Sequence, residues 1–199
     1  MRDLLVGGKR VRIAIIGPQG SGKSTLANTL AKVIRFPLIT EVARTAARVL
    51  KIPQDGMWLS PALGSLWQIS IIYEQLASER RLNNAFVSDR SVIDNIAYLL
   101  LRHEKFLGYL HEDVITSCMQ RCRENANNYT HIFYMPAAKG GLVNDGFRNT
   151  DPEYQAVVAN KIWEVIKLWD LQGMVLSVPS DLSWEGKYAF VLQSLEGRA

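Results

Sequence analysis

Two rhythms of hydrophobic and polar positions alternate along this chain. Short apolar runs rich in β-branched residues, as in strands buried on both faces, are followed by longer stretches with apolar residues every three or four positions, as in helices. The first run is Val11-Arg12-Ile13-Ala14-Ile15-Ile16. A glycine-bearing break over residues 17–22 separates it from a predicted helix over 23–34, with Leu26, Leu30, Val33 and Ile34 as its apolar positions. A second short strand is predicted over 36–40. A helix beginning at Glu41 or Val42 then carries Arg44 and Arg48 on one face. Residues 51–61, with two prolines and a glycine, read as a loop.

The pattern predicts a long helix over 62–81, ending in the polar turn Leu82-Asn83-Asn84. A short strand over 85–88 stops at Asp89. Helical spacing resumes over 91–101 and 109–124. The next strand, 131–135, is stopped by Pro136. A glycine-bearing loop over 139–150 leads to a helix over 152–169, a last strand over 174–178 and a last helix over 184–195. Five strand–helix alternations imply an α/β fold: a single three-layer domain over 1–199, with a five-stranded, mostly parallel sheet. No repeat, low-complexity stretch or linker marks a second domain.

Composition narrows the class. The 199 residues are 48% hydrophobic and 21% charged, the balance of a soluble globular protein. No apolar run approaches the ~20 residues needed to span a bilayer. The apolar part of the N-terminus is too short for a secretory signal, so the expected location is the cytoplasm. Cys118 and Cys122 stand one helical turn apart without further ligands at zinc spacing, and read as reduced thiols. The net charge of +4 suits a polyanionic ligand, but no Lys/Arg block of five or more marks a nucleic-acid tail.

Chemistry enters at the first break. Gly17-Pro18-Gln19-Gly20-Ser21-Gly22-Lys23-Ser24 satisfies the phosphate-binding (P-loop) pattern G-x-x-x-x-G-K-[ST] at every position, after a buried strand and at the start of a helix. Its glycines let successive N–H groups turn toward the phosphates, and the helix dipole adds to them. Lys23 is the expected ligand of the β- and γ-phosphates of ATP, Ser24 offers a hydroxyl to Mg²⁺, and Thr25 follows in the first turn. GTP-specific proteins read their base with Asn-Lys-x-Asp, whereas the string here is Asn160-Lys161-Ile162-Trp163. Small kinases remain.

Phosphoryl transfer needs positioning and charge neutralisation more than covalent chemistry. Asp89, at the end of a strand, is the expected Mg²⁺ carboxylate, and Arg90 the expected phosphate contact. Glu41, at the end of the second strand, is placed to act as general base, with Arg44 one turn later to hold the acceptor. Residues 137–151 read as a short lid, and Arg148 as its phosphate-binding arginine. Gln68 and Gln75, with Trp58, Trp67 and Tyr73, are candidates for the acceptor wall.

The strings Glu41-Val42-Ala43-Arg44, Asp89-Arg90-Ser91-Val92-Ile93-Asp94 and 145–153 resemble the small P-loop kinases of the thymidylate and deoxynucleoside kinase group. More closely, the chain is similar to compact domains typified by the nicotinamide riboside kinase domain. The resemblance implies ATP and Mg²⁺, and Glu41 in the position of the deoxynucleoside kinase base. The Glu-Pro pair common in nucleoside kinases is Glu41-Val42 here, so the base role carries over less directly.

The reading is therefore an ATP-dependent kinase acting on a nucleoside, nucleotide or similar small molecule, as a monomer or homodimer. A hydroxymethylated base in DNA is an alternative acceptor. An ATP-binding regulatory ATPase module is the alternative from another class.

Overall fold

Parallel pairing between the apolar runs builds one five-stranded sheet in the computed structural model, which describes residues 10–49, 60–82, 84–106, 109–137 and 151–197. The strands are β1 (Val11–Ile16), β2 (Leu38–Ile39), β3 (Ala85–Asp89), β4 (His131–Tyr134) and β5 (Val175–Ser177), in the order β2-β3-β1-β4-β5. The helices are α1 (Lys23–Ile34), α2 (Val42–Val49), α3 (Pro61–Arg81), α4 (Val92–Lys105), α5 (Glu112–Ala126), α6 (Pro152–Leu168) and α7 (Trp184–Gly197). All strand pairs are parallel.

Crossovers run to one side of β1 for β2 and β3 and to the other for β4 and β5. That makes the carboxyl end of β1 the switch point where ligands bind in open parallel sheets. The predicted fold class is the observed one.

Side-chain alternation along the strands divides the core in two. Ile13 and Ile15 of β1, with Val87 and Phe133, pack on Leu26, Leu30, Val191 and Leu195 of α1 and α7. Ala14 and Ile16, with Phe86, Ile132 and Tyr134, pack on α3, α4, α5 and α6. Each fully buried aliphatic or aromatic side chain is worth about 1.5–3 kcal/mol, so both faces contribute to holding the carboxyl edge rigid. Cys118 and Cys122 are free and buried in the second of these layers.

Local departures from the predicted boundaries have local causes. β2 shrinks to two residues because Pro37 has no N–H to donate, although its carbonyl still accepts from Val87 N at 2.9 Å. α4 runs on to Lys105, and α5 begins only at Glu112, where the His111 ring caps Asp113 N. α3 begins at Pro61, with Ser60 Oγ accepting from Leu63 N.

Under the sheet lies a buried polar knot. Glu79 of α3 accepts from Gln75 Nε2 and Tyr129 OH, each at 2.7 Å, and from Asn125 Nδ2. Gln75 also reaches Ser88 Oγ at 2.9 Å, directly before Asp89. Burial raises the Glu79 pKa, against the opposing hydrogen bonds. No described helix is long and apolar enough to cross a membrane.

Candidate active site

At the carboxyl edge of β1 the chain enters the phosphate-binding loop through Gly17, at φ 136°. A Cβ there would lie 2.2 Å from the Met135 carbonyl oxygen, so the backbone just after β4 leaves room only for glycine. Gly20 and Gly22 follow at φ 70° and 88°, and Gly22 caps α1. Lys23, buried, folds back onto its own loop: Nζ donates to the Pro18 carbonyl at 2.5 Å and to Ser21 Oγ at 3.1 Å. Burial, and then the Arg90 charge, bring its pKa down to about 7, although Asp94, Asp89 and Glu41 pull the other way. The ammonium is thus poorly compensated, the condition an incoming phosphate relieves.

Register brings the other residues to the same edge. Ile15 of β1 pairs with Asp89, and Ile39 of β2 pairs with Ser88. Thr40 and Glu41 therefore come level with Asp89 and Arg90. A cleft of about 530 Å³ is lined by Gly20 to Thr25 of the loop and by Thr40, Glu41, Thr45, Asp89 and Arg90. Gly17, Pro18 and Gln19 lead into it. Asp89 Oδ1 is buried with no hydrogen-bond partner.

Arg90 takes a left-handed backbone, φ 77°, which a non-glycine residue adopts at a cost of about 1–2 kcal/mol. The turn aims its side chain along the edge. Nε donates to Glu41 Oε1 at 2.7 Å, the guanidinium lies 5.3 Å over the Tyr98 ring, and Nη1 is buried without a partner. Burial alone would lower the Arg90 pKa, but the Glu41 carboxylate overrides it and holds the group well above its usual value.

Two residues without an assigned role in the sequence pattern, Asp94 and Tyr98, complete the geometry. Asp94, fully buried, accepts Gly17 N at 3.0 Å through Oδ1 and Ser91 N at 2.9 Å through Oδ2, while Ser91 Oγ caps Ile93 N. This capping box joins the entry of the phosphate loop to the Asp89-Arg90 turn. Burial raises the Asp94 pKa, opposed by Arg90, Lys23 and the two N–H donors. Tyr98 donates to Gln19 Oε1 at 2.9 Å, and Gln155 Nε2 holds the Gln19 carbonyl at 2.6 Å. In the sequence Asp94 stands only at the end of the string Asp89 to Asp94 and in the Ser91-x-x-Asp94 pattern of a helix start, neither of which gives it a contact with the loop.

The remaining candidates lie elsewhere. Gln68 is buried on the inner face of α3 and is not among the residues lining the cleft. Gln75 belongs to the Glu79 knot, Trp67 is in the core, and Tyr73 is exposed. The Arg44 side chain, Trp58, Arg148 and the lid segment 138–150 lie outside the described residues.

The donor set fits a magnesium ion of the P-loop kind. Such an ion takes one carboxylate, one hydroxyl and phosphate oxygens. The unpartnered Asp89 Oδ1 and the Ser24 hydroxyl in the same cleft are of that type. Among the described residues no cluster of three or more His, Cys, Asp or Glu is arranged to hold an ion by itself.

Comparison with known proteins bears on the family and the fold. Residues 12–180 match a family model described as AAA domain. No curated protein matches the chain. A solved deoxyadenosine kinase from M. mycoides with bound dCTP superposes with a TM-score of 0.64 at 15% identity, covering 94% of this chain and 100% of that one. NadR protein in complex with NR gives 0.70 at 18% identity, covering 95% of this chain. NadR with NAD and AMP-PNP gives 0.65 at 15%, again covering 95%. The chain spans about half of the NadR protein, 51% and 49% in the two structures. At these identities the likeness establishes a shared fold, that of small P-loop kinases.

Proposed function

The chain belongs to the family described as AAA domain, and from the geometry of its site we propose that it is a kinase. It transfers the γ-phosphoryl group of ATP, with Mg²⁺, to a nucleoside, nucleotide or similar small molecule. The observation that carries this reading is the Glu41–Arg90 pair, 2.7 Å apart and facing the same cleft as Lys23 and Ser24. A phosphate loop alone serves switches and motors equally well. A carboxylate held by an arginine beside the loop supplies what phosphoryl transfer needs in addition. Support comes from the fold neighbours, a deoxyadenosine kinase and a NadR protein that holds NR.

In this mechanism the loop N–H groups from Gly20 to Ser24 and the Lys23 ammonium bind the triphosphate. Ser24 and Asp89 would hold Mg²⁺, which would supply charge neutralisation there. Arg90, fixed by Glu41 on one side and stacked on Tyr98, turns Nη1 toward the migrating phosphoryl group. Glu41 orients the acceptor hydroxyl and takes its proton. Arg44 contacts the acceptor, and Arg148 closes over the phosphates from the lid and keeps water out.

ADP release measured against a panel of nucleosides, ribosides and nucleotides tests the proposal. Stimulation by at least one acceptor, well above the acceptor-free rate, is expected; a rate indifferent to every acceptor would overturn it. The family description favours one other reading, an ATPase module in which nucleotide changes shape. That reading predicts tight ATP binding and slow hydrolysis that Glu41→Gln leaves unaltered.

A further inference from the structure

The strained turn that carries Asp89 and Arg90 is gripped from both sides by one buried carboxylate. Gln75 Nε2 donates to Ser88 Oγ at 2.9 Å, on the residue before Asp89, and to Glu79 Oε1 at 2.7 Å. On the far side of the turn, Val92 N donates to the Tyr129 hydroxyl at 3.3 Å, and that hydroxyl donates to the same Glu79 Oε1 at 2.7 Å. The path Ser88–Gln75–Glu79–Tyr129–Val92 therefore closes a ring of hydrogen bonds around residues 89–91. All five members are buried, and Glu79 is the junction between the two flanks.

Each member is itself anchored. Gln75 and Glu79 stand one turn apart on the inner face of α3. Tyr129 precedes Thr130, whose N–H donates to the Arg12 carbonyl at 2.9 Å and whose Oγ1 accepts from Arg12 N at 3.0 Å, so the tyrosine is fixed relative to β1. Asn125, near the end of α5, donates to Glu79 Oε2 and sets the plane of the carboxylate. Tyr129 also completes the start of α4. Ser91 Oγ takes the N–H of Ile93 and Asp94 takes that of Ser91, which leaves Val92 N for the tyrosine.

Packing alone does not account for a carboxylate here. Burying one is costly even among hydrogen bonds, and an apolar side chain would fill the same space beneath the sheet. Backbone in the left-handed region, as at Arg90, persists where its surroundings over-determine it. Arg90 N is held by the Ile15 carbonyl at 3.0 Å, which places the nitrogen and leaves the direction of the turn to its flanks. Those flanks are what Glu79 ties together. Around it stand Gln75, Tyr129 and Asn125, with Arg12 of β1 and Cys122 of α5 acting through charge. None of these residues lines the cleft beside the phosphate loop, so the carboxylate acts through others.

We propose that Glu79 is a positioning residue for the nucleotide site: through Gln75 and Tyr129 it holds the turn that presents Asp89 and Arg90 to the cleft. The inference rests on the kinase reading in taking Asp89 as the Mg²⁺ carboxylate. What the role requires of Glu79 is an acceptor at Oε1, shared by both flanks, rather than a negative charge.

The test is calorimetric titration of the full chain with a non-hydrolysable ATP analogue, with and without Mg²⁺, which requires no turnover. Metal-free affinity depends on the loop and Lys23, whereas the increment that Mg²⁺ adds depends on Asp89. In wild type Mg²⁺ is expected to tighten binding by about tenfold or more. Glu79→Met, which keeps the bulk and removes the acceptor, should cut that increment by about fivefold, with metal-free affinity within about twofold of wild type. Glu79→Gln should retain the increment, because its amide oxygen accepts from Gln75 and Tyr129 while Asn125 turns its own amide to meet the new NH₂. Should Glu79→Met fail to fold, Tyr129→Phe, which releases one flank only, should cut the increment by about threefold. A merely structural Glu79 would lower Tm and the fraction of active protein and leave the increment unchanged. An increment absent from wild type, unaltered in the folded variants, or lost equally in Glu79→Gln overturns the inference. A loss in Glu79→Met that Glu79→Gln restores, in a protein whose ADP release no acceptor stimulates, would overturn the kinase reading and leave the positioning role standing.

Discussion

The carboxylate of Asp94 accepts the backbone N–H of Gly17 at 3.0 Å across 77 residues of sequence, tying the phosphate loop to the strand that supplies Asp89 and Arg90. Asp94→Ala removes this contact and the cap on Ser91, leaving two buried N–H groups without acceptors. Each such loss costs about 1–3 kcal/mol. Chemical denaturation should show a loss of about 2–6 kcal/mol for the two together, and the KM for ATP should rise at least tenfold. Asp94→Asn should be destabilising too, because only one of its side-chain atoms can accept. A variant with wild-type stability and KM would contradict the role.

The strained turn at Arg90 separates backbone from side-chain effects. Arg90→Gly relieves the left-handed φ of 77°, whereas Arg90→Ala keeps it. The glycine variant should be the more stable by about 1 kcal/mol in urea unfolding. Both should lose phosphoryl transfer, since both free Glu41 from its partner. Equal stabilities would count against strain at this position.

Lys23 carries the pH dependence. With a pKa brought down to about 7 by burial and the Arg90 charge, it is neutral above that pH and must gain a proton when phosphate arrives. Nucleotide affinity should therefore weaken as pH rises from 7 to 9, and binding at pH 8 should take up protons. Calorimetry in buffers of different ionisation enthalpy reads this directly. Below pH 7 the buried charge is a burden on the folded state, so Lys23→Met should raise the nucleotide-free Tm at pH 6, by about 2–4 °C for each kcal/mol relieved, while abolishing ATP binding. A pH-independent affinity would contradict the assignment.

How much was legible in the sequence follows from the range of the interactions. β1, α1 and the phosphate loop are encoded by neighbours: β-branched alternation, helical spacing and glycines at fixed offsets. Asp89 and Glu41 were readable because strand ends in a parallel sheet share one edge. Asp94 was not, because its capping box looks local and its contact with Gly17 exists only once β3 lies beside β1. Gln75 and Glu79 read as one face of a long helix, and only the packing of α3 under the sheet gives them Ser88, Tyr129 and Asn125 as partners. No sequence motif includes Arg102. Its burial depends on Gly64, 38 positions earlier in the sequence.

The central claim is that Glu41 and Arg90 face an acceptor across from the phosphate loop. The most direct measurement follows the γ-phosphoryl label of ATP into an organic acceptor, comparing wild type with Glu41→Gln. Wild type should label an acceptor from the nucleoside and riboside panel. Glu41→Gln should lower kcat by about 10²–10⁴, the usual worth of a general base, with the KM for ATP little changed. Label appearing only as inorganic phosphate, at equal rates in both proteins, would contradict the account.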